Sequence, residues 1–270
     1  MKFNSQAPYI VSSMLILMGL TQAGCGENGT LEDEKTTDSI EMVAEEPTRL
    51  EDEKTTDSIE MVAEEPTRKV RIETNFGEMV VELSNATPGH RDNFIELVEA
   101  GFYDSLLFHR VISEFMIQGG DPTSRGAALA TPLGMGGPGY QIPAEIRTDH
   151  LHFKGALAAA RQGDAANPER KSSGSQFYLV QGRPFTKEEV LNIEARNFPE
   201  EFGDAEVFKY SDEDIERYGT DGGVPFLDNM YTVFGQVVEG LDVIDSIAAV
   251  QTAAGNRPKN DVTMMMELIN

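Results

Sequence analysis

Residues 107 to 122 read Leu-Phe-His-Arg-Val-Ile-Ser-Glu-Phe-Met-Ile-Gln-Gly-Gly-Asp-Pro. This short run carries a guanidinium (Arg110), a carboxamide (Gln118) and two large apolar side chains between them, Phe115 and Met116. Arg110 offers five N–H donors and a charge that no ordinary pH removes, and Gln118 can both donate and accept. A guanidinium, an amide and large apolar side chains thus come close together within about a dozen residues. His109 adjoins Arg110 but faces the opposite way on a strand, and takes no proton-transfer role. Two short strands must position these groups, 106–112 and 115–118, joined at Ser113-Glu114 and stopped by Gly-Gly-Asp-Pro. Alternation along a strand places Phe108, Arg110 and Ile112 on one face, and Met116 and Gln118 together on another. A sheet edge with one solvated arginine fits the same pattern.

The flanking chain alternates between strand and helix signals. Residues 70–74 and 79–83 alternate apolar and polar around Asn75-Phe76-Gly77, which predicts a hairpin. Thr87-Pro88 opens a helix with Thr87 as its N-cap; Phe94, Leu97 and Val98 recur at helical spacing and Gly101 ends it. The run 134–139 matches G-x-G-x-x-G, but Pro132, Pro138 and Pro143 forbid the helix that a dinucleotide fingerprint requires, so a loop is expected. His150 and His152 share a face of an extended segment, with no Cys, Asp or Glu at zinc-ligand spacing. Strands are expected at 176–180, 231–238 and 262–269. A helix at 241–248 should turn Leu241, Ile244 and Ala248 inward. Thr186 to Glu189 reads as a capping box opening a helix to about residue 195, and a second helix spans 211–218, capped by Ser211 and stopped at Gly219. Many strands, few helices and no βαβ rhythm predict a mainly β domain.

The chain has 270 residues, with 22 basic against 46 acidic residues and a net charge of −24. Such a balance disfavours nucleic acid and anionic lipid as partners. One cysteine, Cys25, excludes an internal disulfide. Residues 3–24 carry no charge, and the apolar stretch 10–20 is short of the ~20 residues that cross a bilayer, so 1–24 reads as a secretory signal. Cys25 behind Ala23-Gly24 resembles the bacterial lipobox, with Gln22 where an aliphatic residue is usual; ordinary export with a free thiol is the alternative. Residues 31–49 recur unchanged at 50–68, and each copy has seven acidic and two basic residues. Two such copies cannot bury enough apolar surface to offset ordering, so 25–68 reads as a self-repelling tether, with a short acidic helix around 39–46 as the competing possibility.

The run 107–121 resembles the signature of the cyclophilin-type peptidyl-prolyl cis-trans isomerases, F-H-R-V-I-x-x-F-M-x-Q-G-G-D. Ser173-Gly174-Ser175-Gln176-Phe177-Tyr178 is similar to that family's G-S-Q-F-F block, and Phe226-Leu227-Asp228 with Val233-Phe234-Gly235 to its W-L-D and V-F-G. The resemblance covers about 69–270, with one insertion at about 187–224 that holds 12 acidic and 4 basic residues. It implies an eight-stranded antiparallel barrel capped by two helices, with an acidic, partly helical insertion. It also implies X-Pro isomerisation, with Arg110 as the catalytic donor and Gln118 orienting it. Phe115, Met116, Tyr178 and Leu227 would hold the proline ring, and Ala160, Arg161 and Gln176 would line the peptide groove. Phe226 stands for a frequent Trp, Tyr231 for a His, and Tyr178 for a Phe, its hydroxyl narrowing the pocket or reaching water. The resemblance implies no cofactor and no metal. The partners expected are proline-containing unfolded or flexible polypeptides, reached from a lipid anchor in a bacterial cell envelope. A prolyl-peptide binding module with little catalysis, or a purely structural envelope lipoprotein, would be the other uses of such a domain.

Overall fold

A period of two, repeated over four neighbouring strands, organises this molecule. The computed structural model describes residues 66–198 and 208–269; Cys25, the signal and the duplicated segment lie outside them. In chain order, β1 (Lys69–Thr74) and β2 (Gly77–Leu83) form the expected hairpin, followed by α1 (Pro88–Glu99). Then come β3 (Leu106–Leu107), β4 (Arg110–Ile112), β5 (Met116–Gly119), β6 (Gln141–Ile142), β7 (Ala156–Ala159), β8 (Ser172–Ser173) and β9 (Phe177–Val180). The helices α2 (Lys187–Asn197) and α3 (Asp212–Thr220) lead to a 3-10 turn, Pro225–Leu227. The chain closes with β10 (Val233–Glu239), α4 (Leu241–Ala248) and β11 (Thr263–Ile269).

Among the described residues the main antiparallel sheet has nine strands in the order β3-β11-β1-β2-β10-β7-β9-β5-β4, and β6 pairs with β8. Nine replaces the expected eight because the single strand foreseen at 106–112 is broken. Leu106 and Leu107 pair with β11, whereas Arg110 to Ile112 pair with β5. Only Phe108 and His109 separate these two edge strands, so the sheet curls back on itself through that joint. The joint also upsets the simple alternation. Phe108 is fully buried against Phe177, while Arg110 and Ile112 leave on the opposite side with Val111 between them in the core.

One core fills the interior, with Phe94, Leu97 and Val98 of α1 and Val243, Ile244, Ile247 and Ala248 of α4 meeting the inward side chains of the strands. Each such fully buried large side chain contributes roughly 1.5–3 kcal/mol. Leu241, expected inward, is 38% exposed because the apolar stripe of α4 is centred on 243, 244 and 247. Thr87 precedes α1 but makes no side-chain cap. Glu145 takes that role from a distant loop, Oε1 accepting from Gly89 N at 3.0 Å and Oε2 from His90 N at 2.9 Å. A carboxylate at a helix N-terminus satisfies unpaired donors and opposes the dipole. The expected capping box of Thr186 with Glu189 forms, and the expected cap Ser211 forms one with Asp214; α3 runs through Gly219 to Thr220 rather than stopping there. α2 and α3 build a second apolar cluster, in which Val190, Ile193, Ile215 and Tyr218 pack with Leu151 and Phe153.

Candidate active site

The sheet register lays the site out. Arg110 lies opposite Gln118, Gln118 opposite Tyr178, and Tyr178 opposite Ala158, so one row crosses four strands. Side chains alternate, so Val111, Ile117, Phe177, Leu179 and Leu157 enter the core while the row faces outward. The next row, Ile112, Met116 and Val180, adds apolar surface on that outer face.

Hydrogen bonds run along the row and past it. Arg110 Nη1 donates to Gln118 Oε1 at 3.0 Å, and Gln118 Nε2 donates to Gln176 Oε1 at 3.1 Å. Gln176 Nε2 then donates to the carbonyls of Gly134 and Gly136, at 3.0 and 2.7 Å. Every carbonyl of the two glutamines is thereby engaged by a donor, which settles the orientation of both amides. The loop holding Gly134 and Gly136 is the G-x-G-x-x-G run; it contains no helix and folds over the buried carboxylate of Asp121. Asp121 accepts from Gly134 N at 2.5 Å, Gly136 N at 3.3 Å, and both Thr123 N and its hydroxyl. A Cβ on Gly136 would stand 2.1 Å from Asp121 Oδ1, so only glycine allows this approach. Burial alone would raise the Asp121 carboxyl, but its bonds from Thr123, Gly134 and Gly136 outweigh that and hold it below the usual range.

Beside this chain of amides lies an open groove of about 650 Å³, lined by Gln118, Gly134, Gly136, Ala160, Arg161 and Gln176 among others. The Arg161 guanidinium sits 4.4 Å from the centre of the Tyr231 ring, and its Nε donates to Met230 O at 2.9 Å. On the other side of Gln118 the apolar patch gathers Met116, Tyr178, Phe115, Leu227 and Tyr231. Met116 and Tyr178 form a nearly sealed floor, and Phe115 and Leu227 are half-buried. Phe226 stands at the rim, 36% exposed, its ring 5.7 Å from that of Phe115. Every residue foreseen from the sequence as catalytic or substrate-binding therefore falls on one outer face of the sheet or its rim.

The Tyr178 hydroxyl is buried beneath the outer face, away from solvent, and lies 3.0 Å from His152 Nε2. Burial, then the neighbouring Tyr231 and Asp228, push this phenol well above its usual value, so it stays protonated. The two histidines expected on one face separate: His150 reaches Ser84 and Asp149, while His152 is wholly buried on Asp228. Sequence reading missed Asp121, His152 and Asp228 as supports. The Gly-Gly-Asp-Pro stop was a visible signal for the first, whereas the pairing of His152 with Asp228 spans 76 residues and leaves none.

The model of the family described as cyclophilin-type peptidyl-prolyl cis-trans isomerase matches residues 69–267. The chain belongs to this family. A putative bifunctional phosphatase/peptidyl-prolyl cis-trans isomerase of Streptococcus pyogenes is 38% identical over 202 residues, which are 72% of this chain and 37% of that protein. A putative peptidyl-prolyl cis-trans isomerase of Staphylococcus aureus is 34% identical over 200 residues, 73% of this chain and 88% of that one. The present cyclophilin-type chain thus spans little more than a third of the streptococcal relative and most of the staphylococcal one. In fold it is similar to a cyclophilin-type isomerase of Cryptosporidium parvum, at a TM-score of 0.53 and 23% identity over 76% of this chain and 99% of that one. A second structure of that protein, determined in the presence of the dipeptide Ala-Pro, gives a TM-score of 0.51.

Proposed function

We propose that residues 69–267 catalyse cis-trans isomerisation of X-Pro bonds in exported or envelope polypeptides and so assist their folding. Amide resonance sets the barrier near ~20 kcal/mol, and no covalent bond need be made or broken to cross it. An enzyme gains rate by binding the twisted amide better than either planar form. Twisting returns the lone pair to the prolyl nitrogen, which then accepts a hydrogen bond. In this reading Arg110 donates that bond and Gln118 holds the guanidinium in place. The proline ring rests on Phe115, Met116, Tyr178 and Leu227, while Ala160, Arg161 and Gln176 line the path of the flanking peptide. Phe226 and Tyr231 border the ring and bias which residues are accepted beside it.

The observation that carries this reading is the hydrogen-bonded run Arg110–Gln118–Gln176 ending at the edge of an apolar patch. A permanent donor with a fixed partner, next to a dry apolar surface, suits a tertiary amide whose nitrogen lies in an apolar ring. The Ala-Pro dipeptide used with the Cryptosporidium protein belongs to the same chemical class. Cys25 would carry the lipid anchor, and the duplicated 31–68 stretch would space the domain from the membrane. The segment 187–224 would be an acidic insertion beside the rim. A proline-isomerisation assay of the domain with and without Arg110→Ala tests the central claim. Loss of activity with retained peptide binding supports catalysis, whereas an inactive wild type that binds prolyl peptides would make the domain a binding module.

A further inference from the structure

Asp228, next in sequence to the rim residues Phe226 and Leu227, is wholly buried. Its Oδ1 accepts from His152 N at 2.7 Å and lies 2.8 Å from His152 Nδ1. Its Oδ2 lies 2.7 Å from the Tyr210 hydroxyl and 2.6 Å from the Tyr218 hydroxyl, both of them buried phenols. From His152 the chain continues through Nε2 to the Tyr178 hydroxyl at 3.0 Å, and Tyr178 forms the floor of the apolar patch. Five side chains thus link the α3 region to the surface beneath the proposed proline ring.

Stability alone accounts poorly for this arrangement. A buried carboxylate brings a large desolvation penalty, and apolar packing of similar volume is often as stable. What such a network does provide is a single geometry, because each member has its partners only in one arrangement. A carboxylate oxygen only accepts, so His152 Nδ1 donates to Asp228 and the other ring nitrogen, Nε2, faces the Tyr178 hydroxyl. The Tyr178 ring is then held at a fixed height by its hydroxyl. Removing a donor at the far end leaves part of Asp228 unsatisfied and frees it, His152 and Tyr178 to shift together.

We propose that Tyr210 and Tyr218 are positioning residues for the prolyl site, acting through Asp228 and His152 on Tyr178. The α2–α3 segment is in that case a working part of the substrate floor rather than a solubilising excursion. The inference rests on the reading that Tyr178 supports the proline ring.

The test is a double-mutant cycle on the domain, with KM and kcat for an Ala-Pro peptide as readouts. Tyr218→Phe and Tyr210→Phe keep rings that pack on Phe153 and Phe208 and remove only the hydroxyls. With Tyr178 in place, each is expected to raise KM by about fivefold, equivalent to about 1 kcal/mol, with kcat little changed. In a Tyr178→Phe background, where the chain is already cut, the same changes should move KM by less than about twofold, since coupled sites are not additive. Melting temperature should fall in both backgrounds. An unchanged KM, or an equal rise in both backgrounds, would overturn the proposal and leave the tyrosines a purely structural role. An unmodified chain supplies an independent arm. The hydroxyl protons of Tyr210 and Tyr218, shielded from exchange, should shift when an Ala-Pro peptide saturates the domain, and unmoved resonances would also overturn it. Arg110→Ala, measured alongside, separates the two levels. If it retains full activity, the site reading itself fails; if it is inactive while the cycle is additive, only the network proposal fails.

Discussion

Arg110 and Gln118 face each other across β4 and β5, and the guanidinium Nη1 donates to the amide Oε1 at 3.0 Å. The amide nitrogen is committed to Gln176, so Gln118 cannot turn without breaking two bonds. Arg110→Ala should therefore remove the donor while the sheet stays folded, because the side chain is only half-buried. Removing one donor of this kind typically costs ~2.7–4 kcal/mol in the barrier. Gln118→Leu should leave the donor present but loose, and misplacement on the order of 1 Å can cost up to about a hundredfold. The expected order of kcat is wild type, then Gln118→Leu, then Arg110→Ala. A Gln118→Leu protein with wild-type kcat would remove the orienting role.

Acid should destabilise the domain in two stages. Burial is the largest influence on both His90 and His109 and leaves each below the ordinary value of 6.5, even though Glu145 pulls His90 upward. Protons then bind the unfolded chain first, so stability is full above the unfolded value and declines as pH falls below it. Asp121 and Glu145 are likewise depressed from 3.8 and 4.5, their hydrogen bonds outweighing burial. Their contribution is present above those unfolded values and is lost as pH falls through the lower folded ones. Melting temperatures at about pH 7.5, 5.5 and 3.5 should descend in that order. A maximum at the middle pH would contradict the assignment of the two histidines.

Phe226 bears on inhibition. In family members that bind cyclosporin well, part of the grip comes from the Trp whose place Phe226 takes. Phe has no indole N–H, so one buried hydrogen bond to the drug would be missing, a loss of ~1–3 kcal/mol. The site has room for the larger ring, since Phe226 lies at the rim and is 36% exposed. Weak inhibition by cyclosporin is expected, with Phe226→Trp lowering the inhibition constant. Equal inhibition of both proteins would show that the rim position is not the determinant.

The anchor is tested without any enzyme assay. The mature protein should begin at Cys25, carry acyl chains there and sediment with membranes, whereas Cys25→Ser should release it. Stable anchoring takes two lipid chains or a second signal. An unmodified Cys25 in the mass spectrum of the mature protein would end the lipoprotein reading.

The acidic segment makes a further prediction about substrates. Residues 187–224 carry a net charge of −8, from 12 acidic and 4 basic residues, and α2 adjoins the turn that bears Phe226. A field of one sign beside a cleft raises encounter rates for the opposite charge. Prolyl peptides flanked by Lys or Arg should show higher kcat/KM than those flanked by Glu. The preference should shrink toward 1 M salt, where the Debye length is about 3 Å. Equal rates at low salt would confine this charge to a solubility role.

The site was legible in the sequence to the extent that its residues are neighbours along strands. Arg110, Phe115, Met116 and Gln118 lie within one hairpin, and the period of two of a strand already sorts core from surface. Helix ends with their own capping chemistry, at Thr186 and Ser211, could be read for the same reason. What depended on a second strand could not. The break at Phe108-His109 exists because the two halves pair with β11 and with β5, a choice made far along the chain by where β11 lies. The cap of α1 comes from Glu145 rather than the adjacent Thr87 because the loop bearing that carboxylate is folded against the helix end. Gln176, recognised only by resemblance, gains its place from register with β5, and the glycine loop gains its role from Asp121 beneath it. Local propensity and spacing act over a few residues and so are written into the sequence directly. The buried partners of Tyr178, His152 and Asp228 meet only when the sheet curls and α3 closes over them, and that is a property of the tertiary structure alone.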